Sequence, residues 1–331
     1  MKRGGILCRA VVTAGACCLL VVSPHGQATA PPPDAAVARM VSEVSRDRLE
    51  EVVKALASIP TRFSPTSGCR VAGTSIYNFL SRMGIAVEYE TFRYSSPRVA
   101  ASVPGRNVVA TLPGTAVPER VLILGAHYDS TSKDEFHVAP GADDNASGVA
   151  AILEIARVLA THRFSLTIRV IAFDAEELGT FGSEHAAQLA KSRQEKVAAM
   201  LNLDMVGFSD GGKRPLALAP DREDQWLAEE FMQAASRYGV GIRLVRRASV
   251  RFARSDHASF WAAGYPALDI VEDQPDNNPH YHHSSDTPNT LDFDFLTAVT
   301  RATLATVATL ASGEHVPAQR QATISGLNGR R

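Results

Sequence analysis

Four short runs, residues 107–112, 121–126, 166–173 and 200–205, are apolar almost throughout. A strand that shows one face to water alternates apolar with polar; a strand buried on both faces does not. Strands of this kind need cover on two sides, and the intervening sequence supplies helices. The clearest is 147–161, where Val149, Ile152, Leu153, Ala156 and Leu159 form one stripe at helical spacing. Similar patterns predict helices over 37–58, over 69–83 (stopped by Gly84), over 221–238 and over 292–312, with a further strand at 268–271. Strands alternating with helices predict an α/β fold: a three-layer sandwich whose central, largely parallel mixed sheet is flanked by helices. With 331 residues and 45% hydrophobic content, the chain can bury one sizeable core.

The ends read differently. Lys2 and Arg3 precede an uncharged apolar run over 10–22, and small residues close the segment at Ala28-Thr29-Ala30. That is the layout of a secretory signal peptide, and the apolar run is too short to span a bilayer. The expected organisation is a signal at 1–30, a Pro/Ala-rich linker at 31–36, a single domain over 37–314 and a disordered tail at 315–331. A secreted or periplasmic location follows, with no stable membrane insertion once the signal is removed. Cys8, Cys17 and Cys18 lie in the signal, so Cys69 alone remains; an intrachain disulfide and a cysteine metal cluster are excluded. A net charge of −1 gives no footing for nucleic acid as a partner. Nothing in the sequence bears on oligomeric state.

Ligands of open α/β sheets bind beyond the carboxyl ends of the strands. The residues just beyond each run are therefore informative. His127-Tyr128-Asp129-Ser130 comes after the second run and Asp174-Ala175-Glu176-Glu177-Leu178-Gly179 after the third, and Asp204 closes the fourth. Gly141-Ala142-Asp143-Asp144-Asn145-Ala146-Ser147-Gly148 opens a helix, and His280-Tyr281-His282-His283-Ser284-Ser285-Asp286-Thr287 comes after the last strand. Any one of these is an ordinary cap or surface group. Histidines and carboxylates recurring at strand ends in this order point to a metal site built without cysteine.

The set resembles the zinc metallopeptidase family M28, in particular its bacterial leucyl and Streptomyces-type aminopeptidase group. The resemblance rests on His127-x-Asp129, Gly141-Ala-Asp-Asp144-x-x-Ser-Gly148, Glu176-Glu177-x-Gly179, the strand end Asp204 and His282-x-x-x-Asp286-Thr287, and covers residues 105–290. It implies two zinc ions. Asp144 would bridge them, Glu177 and His282 would complete one site, and His127 and Asp204 the other. Glu176 would be the general base acting on a metal-bridging hydroxide, and Asp129 the carboxylate that orients His127. The family spacing selects Asp144 over Asp143 and His282 over His283, and implies a cis peptide after Asp144. The implied activity is removal of amino-terminal residues from peptides with a free amino terminus.

Three rivals share the fold: a glutaminyl cyclase with one zinc, a carboxypeptidase, and a receptor-like domain without catalysis. His127 and Asp204 weigh against the first, and the full donor set against the last. Ser255-Asp256-His257 reads as the cap of a helix containing Phe260 and Trp261. The arginines at 243, 246, 247, 251 and 254 read as a solvated face from which one could reach the cleft. Segments 208–220 and 243–256 are expected to be the loops that shape specificity.

Overall fold

The computed structural model describes Met1, residues 33–248 and residues 254–313. The expected signal, the first part of the linker and the tail lie outside the described residues, as does Arg251. The chain divides into Met1–Pro32 and Pro33–Arg331, and every described helix and strand belongs to the second unit. Among the described residues no helix is long and apolar enough to cross a membrane.

Three helices come first: α1 (Ala35–Ser42), α2 (Arg46–Ala57) and α3 (Ser67–Ser81). A hairpin of β1 (Ala86–Ser96) and β2 (Val99–Leu112) leads into β3 (Val117–His127), α4 (Gly148–Leu159), β4 (Leu166–Phe173), α5 (Phe181–Ser192) and β5 (Lys196–Asp204). Then come β6 (Leu216–Pro220), α6 (Gln225–Arg237), β7 (Leu244–Arg246), α7 (His257–Ala263), β8 (Ala267–Glu272) and α8 (Phe293–Ala311). One sheet runs in the order β1-β2-β4-β3-β5-β8-β6-β7. Its centre, β4-β3-β5-β8, is parallel, while β1 and β2, β2 and β4, and β8 and β6 pair antiparallel.

Alternate residues of the central strands feed two cores. Leu122, Leu124, Val170, Leu201, Leu203, Leu268 and Ile270 join the larger core with Ile76, Leu227 and Leu296 of the helices on one face. Val121, Ile123, Ile171, Phe173 and Met200 pack against Ala186 and Ala187 of α5 and Phe260 of α7 on the other. Two apolar faces on each central strand explain why those segments read as unbroken apolar runs.

Several expectations need correction. The single helix expected over 37–58 is two. Ser45 accepts from the Arg48 amide, and its own N–H donates to the buried Glu154 carboxylate at 2.8 Å, so a new helix begins there. The linker expected at 31–36 ends early, because Asp34 caps α1 at Ala35. The segments expected as loops at 208–220 and 243–256 contain β6 and β7. The periodicity did not predict β1 or α5. Asp256 stands at the start of α7, but its side chain makes no capping bond. It is fully buried instead.

Candidate metal centre

The donors gather where β3, β4, β5 and β8 end, and the backbone bends sharply to deliver them. Ala175 (φ 59°), next to Glu176, Met205 (φ 51°), next to Asp204, and His282 (φ 55°) all adopt left-handed conformations, which side-chain-bearing residues rarely do away from functional sites. The Asp144–Asn145 peptide is cis. Asn145 pins its turn to β5 by donating to the Leu203 carbonyl at 2.8 Å and accepting from the Gly148 amide at 2.9 Å. A Cβ at Gly148 would collide with the Asn145 side chain and that same carbonyl, so the glycine of the motif is a packing requirement.

Two groups of side chains come together there. His127, Asp144 and Asp204 form one; Asp144, Glu177 and His282 form the other. His127 Nε2 lies 3.3 Å from Asp144 Oδ1 and 3.3 Å from Asp204 Oδ1. His282 Nε2 lies 3.2 Å from Asp144 Oδ2 and 3.1 Å from Glu177 Oε2. Asp144 thus offers one oxygen to each group. Four donors arranged tetrahedrally at zinc's usual bond lengths would sit about 3.3–3.5 Å apart, close to these spacings. Glu177 Oε1 is buried without a hydrogen-bond partner, an open valence that suits a cation.

The charge balance points the same way. Burial pushes Glu177 up to about 7, with Asp144 adding to the effect. Burial would lower both histidines, but the surrounding carboxylates reverse it. His127 rises well above the ordinary imidazole range, chiefly through Asp204 and Glu176, and His282 rises to about 10 through Asp144 and Glu177. A donor set of this kind fits divalent cations.

Glu176 belongs to neither group. It lines the same cavity, with Oε2 4.0 Å from His127 Nε2. Asp129, fully buried, lies 3.5 Å from His127 Nδ1 through its carboxylate, while the ring nitrogen also meets its backbone carbonyl at 3.2 Å. Its oxygens accept from the backbone amides of Glu176 at 3.1 Å and Glu177 at 3.2 Å, so it braces the donor loop as well as facing the histidine. Asp143 turns away, accepting from the Gly207 amide and the Asn278 side chain at 2.7 and 3.1 Å. Asp286 accepts from the amides of Asp143 and Asp144 at 2.8 and 3.0 Å. His280 bonds Ser285, and His283 meets the Tyr281 carbonyl.

Two residues of the site carry no signal in the sequence. Arg62 is fully buried and donates to the carbonyls of Leu56, Tyr128, Pro140 and Gly141, clamping the segments that carry His127 and Asp144. Tyr281 stacks on His282 at 3.7 Å between ring centroids and lines the cavity. The cavity holds about 620 Å³. Its walls include Arg247 and Arg254 from the arginine stretch but no residue of 208–220, and 273–277 contributes instead.

The profile of Peptidase family M28 matches residues 107–307, more than half of the chain. A probable zinc metalloprotease of Pyrenophora teres f. teres is 32% identical, over 86% of this chain and 71% of its own length. A probable leucine aminopeptidase of Trichophyton verrucosum is 31% identical, over 78% and 72%. In fold, the chain resembles an aminopeptidase from Aneurinibacillus sp. strain AM-1 (TM-score 0.72, 18% identity, 86% and 98% covered). It also resembles a glutaminyl cyclase of Bacteroides thetaiotaomicron (TM-score 0.68, 21% identity, 80% and 98% covered). The chain belongs to peptidase family M28 and is a zinc-dependent hydrolase.

Proposed function

We propose that this hydrolase is an aminopeptidase that binds two zinc ions, one held by His127, Asp144 and Asp204 and the other by Asp144, Glu177 and His282. The observation that carries the reading is the shared Asp144, with one oxygen in each of two groups at tetrahedral spacing. Zinc bound there supplies Lewis acidity toward the scissile carbonyl and a more acidic water. Glu176 takes a proton from the attacking water onto its carboxylate and returns it to the leaving amine. Asp129 keeps Glu176 and Glu177 in place through their amides. Three donor carboxylates offset most of the charge of two divalent ions, which makes their burial tolerable.

The leucine aminopeptidase relative supports the amino-terminal direction, as do the carboxylates that line the cavity beside the donors. There Glu176 can grip a substrate α-ammonium through charge-assisted hydrogen bonds. A complete second donor group, His127 and Asp204, speaks against a one-zinc cyclase. The test compares a good peptide substrate with its amino-terminally acetylated and carboxy-terminally amidated forms. Acetylation should abolish cleavage while amidation leaves it intact; the reverse pattern would make the enzyme a carboxypeptidase. We further propose, from the basic start, apolar run and small residues of 1–30, that the chain is exported.

A further inference from the structure

We propose that Asp269 makes the cavity select substrates whose amino-terminal residue carries a cationic side chain, lysine or arginine. This rests on the aminopeptidase reading above. In the parallel pairing of β5 with β8, Asn202 stands beside Asp269 and Asp204 beside Val271. Side chains alternate along a strand, so these four share one face. Asp269 is two residues, about 6.6 Å, further down β8 than the level of Asp204. A carboxylate there lies one strand across from the metal donors and deeper in the same cavity, which both it and Asp204 line. A four-carbon lysine stem suits an offset of this kind.

The walls fit such a stem. Met205 and Val271 pack together with Tyr281 against them, and all three line the cavity. They offer apolar surface along the methylenes. Charge singles out Asp269 as well. Asp273 is held by Arg247 through two bonds of 2.6 and 2.7 Å, and Asp276 pairs with Arg254 at 3.3 Å. Among the described residues Asp269 is paired with no arginine or lysine. It is 3% exposed, accepts from Asn202 Nδ2 at 3.0 Å, and lies 3.2 Å from His257 Nδ1. Both contacts fall on Oδ1, and Oδ2 takes part in neither. A fixed, nearly buried carboxylate lining the cavity beside the apolar patch of Met205, Val271 and Tyr281 rewards a ligand that brings its own positive charge.

The test uses the zinc-loaded full chain and two substrates that differ only in the terminal ammonium, lysyl and norleucyl anilides. The expected result is a kcat/KM about ten-fold or more in favour of lysine, the scale of one charged hydrogen bond. Asp269→Asn should cut that ratio by about 10- to 100-fold. Calorimetric binding of lysinamide and norleucinamide to both proteins should show the same preference and its loss. Equal or better turnover of the norleucyl substrate by the unaltered enzyme would overturn the proposal, whether or not the variant folds. So would an unchanged ratio in a variant with normal zinc content and melting temperature. If neither anilide is cleaved, the aminopeptidase reading falls, and the calorimetry still decides what Asp269 recognises.

Discussion

Replacing Asp129 by asparagine tests how the donors are held. The carboxylate accepts two backbone amides, those of Glu176 and Glu177, one on each oxygen. An asparagine side chain has one acceptor oxygen, so one amide would face an NH2 group and stay unpaired in a fully buried place. Losing a charge-assisted bond and stranding its donor costs about 2–4 kcal/mol. At about 2 °C per kcal/mol for a chain of this size, the melting temperature of Asp129→Asn should fall by about 4–8 °C. Asp129 touches His127 of one donor group and braces Glu177 of the other, so both zinc affinities should weaken, by about 10- to 100-fold. Scanning calorimetry and zinc content measured against a buffered zinc series read the two effects. A variant that melts normally and holds both ions as tightly as the parent would refute the argument. Selective loss of one ion would show that Asp129 acts through only one of its contacts.

Metal analysis by mass spectrometry should find about two zinc ions per chain, with activity lost to a chelator and restored by zinc; one ion in fully active enzyme would return attention to the cyclase. Glu176→Gln should retain both ions while turnover falls by about 10²–10⁴, so near-normal turnover would remove Glu176 as the base. Asp286→Asn withdraws an acceptor from the Asp143 and Asp144 amides. It should lower zinc occupancy and destabilise the fold by about 1–3 kcal/mol, measured by chemical unfolding. Protein isolated from its native host should begin within residues 27–36, and an intact Met1 would contradict export.

The parts of the fold that could be read from the sequence were those with a single physical cause. β3, β4, β5 and β8 are covered on both faces, and their apolar runs say so. β1 is not: Glu88, Glu90 and Arg93 interrupt it, and its burial alternates only loosely, so tertiary pairing with β2 decides it. α5 buries mainly alanines and Gly182, too small to stand out as a stripe. Ser45 did carry a signal, an N-cap in mid-pattern, and apolar periodicity on both sides of it hid the break. The candidate metal donors that the structure brings together were visible because they are adjacent to strand ends and ordered by motif. Arg62, Tyr281 and Asp269 were not, because nothing local distinguishes a buried arginine or a cavity-lining aspartate from a surface one. Their places in the site are set by residues distant in the chain.

Arg62 also bears on where the working unit begins. The match to the family model starts at residue 107, and all five candidate donors lie beyond that point. Yet the guanidinium that ties the Tyr128 carbonyl to those of Pro140 and Gly141 comes from residue 62. Its neighbour Ser130 is bonded to the same short segment through the Arg62 backbone. A fragment trimmed to 107–307 would keep every ligand and lose the tie that sets the distance between His127 and Asp144. The family's shared core therefore marks out less of this chain than its chemistry needs, whereas likeness to the Pyrenophora relative extends over 86% of it. The stretch between α2 and α3 supports the site through Arg62, although it contributes none of the candidate donors.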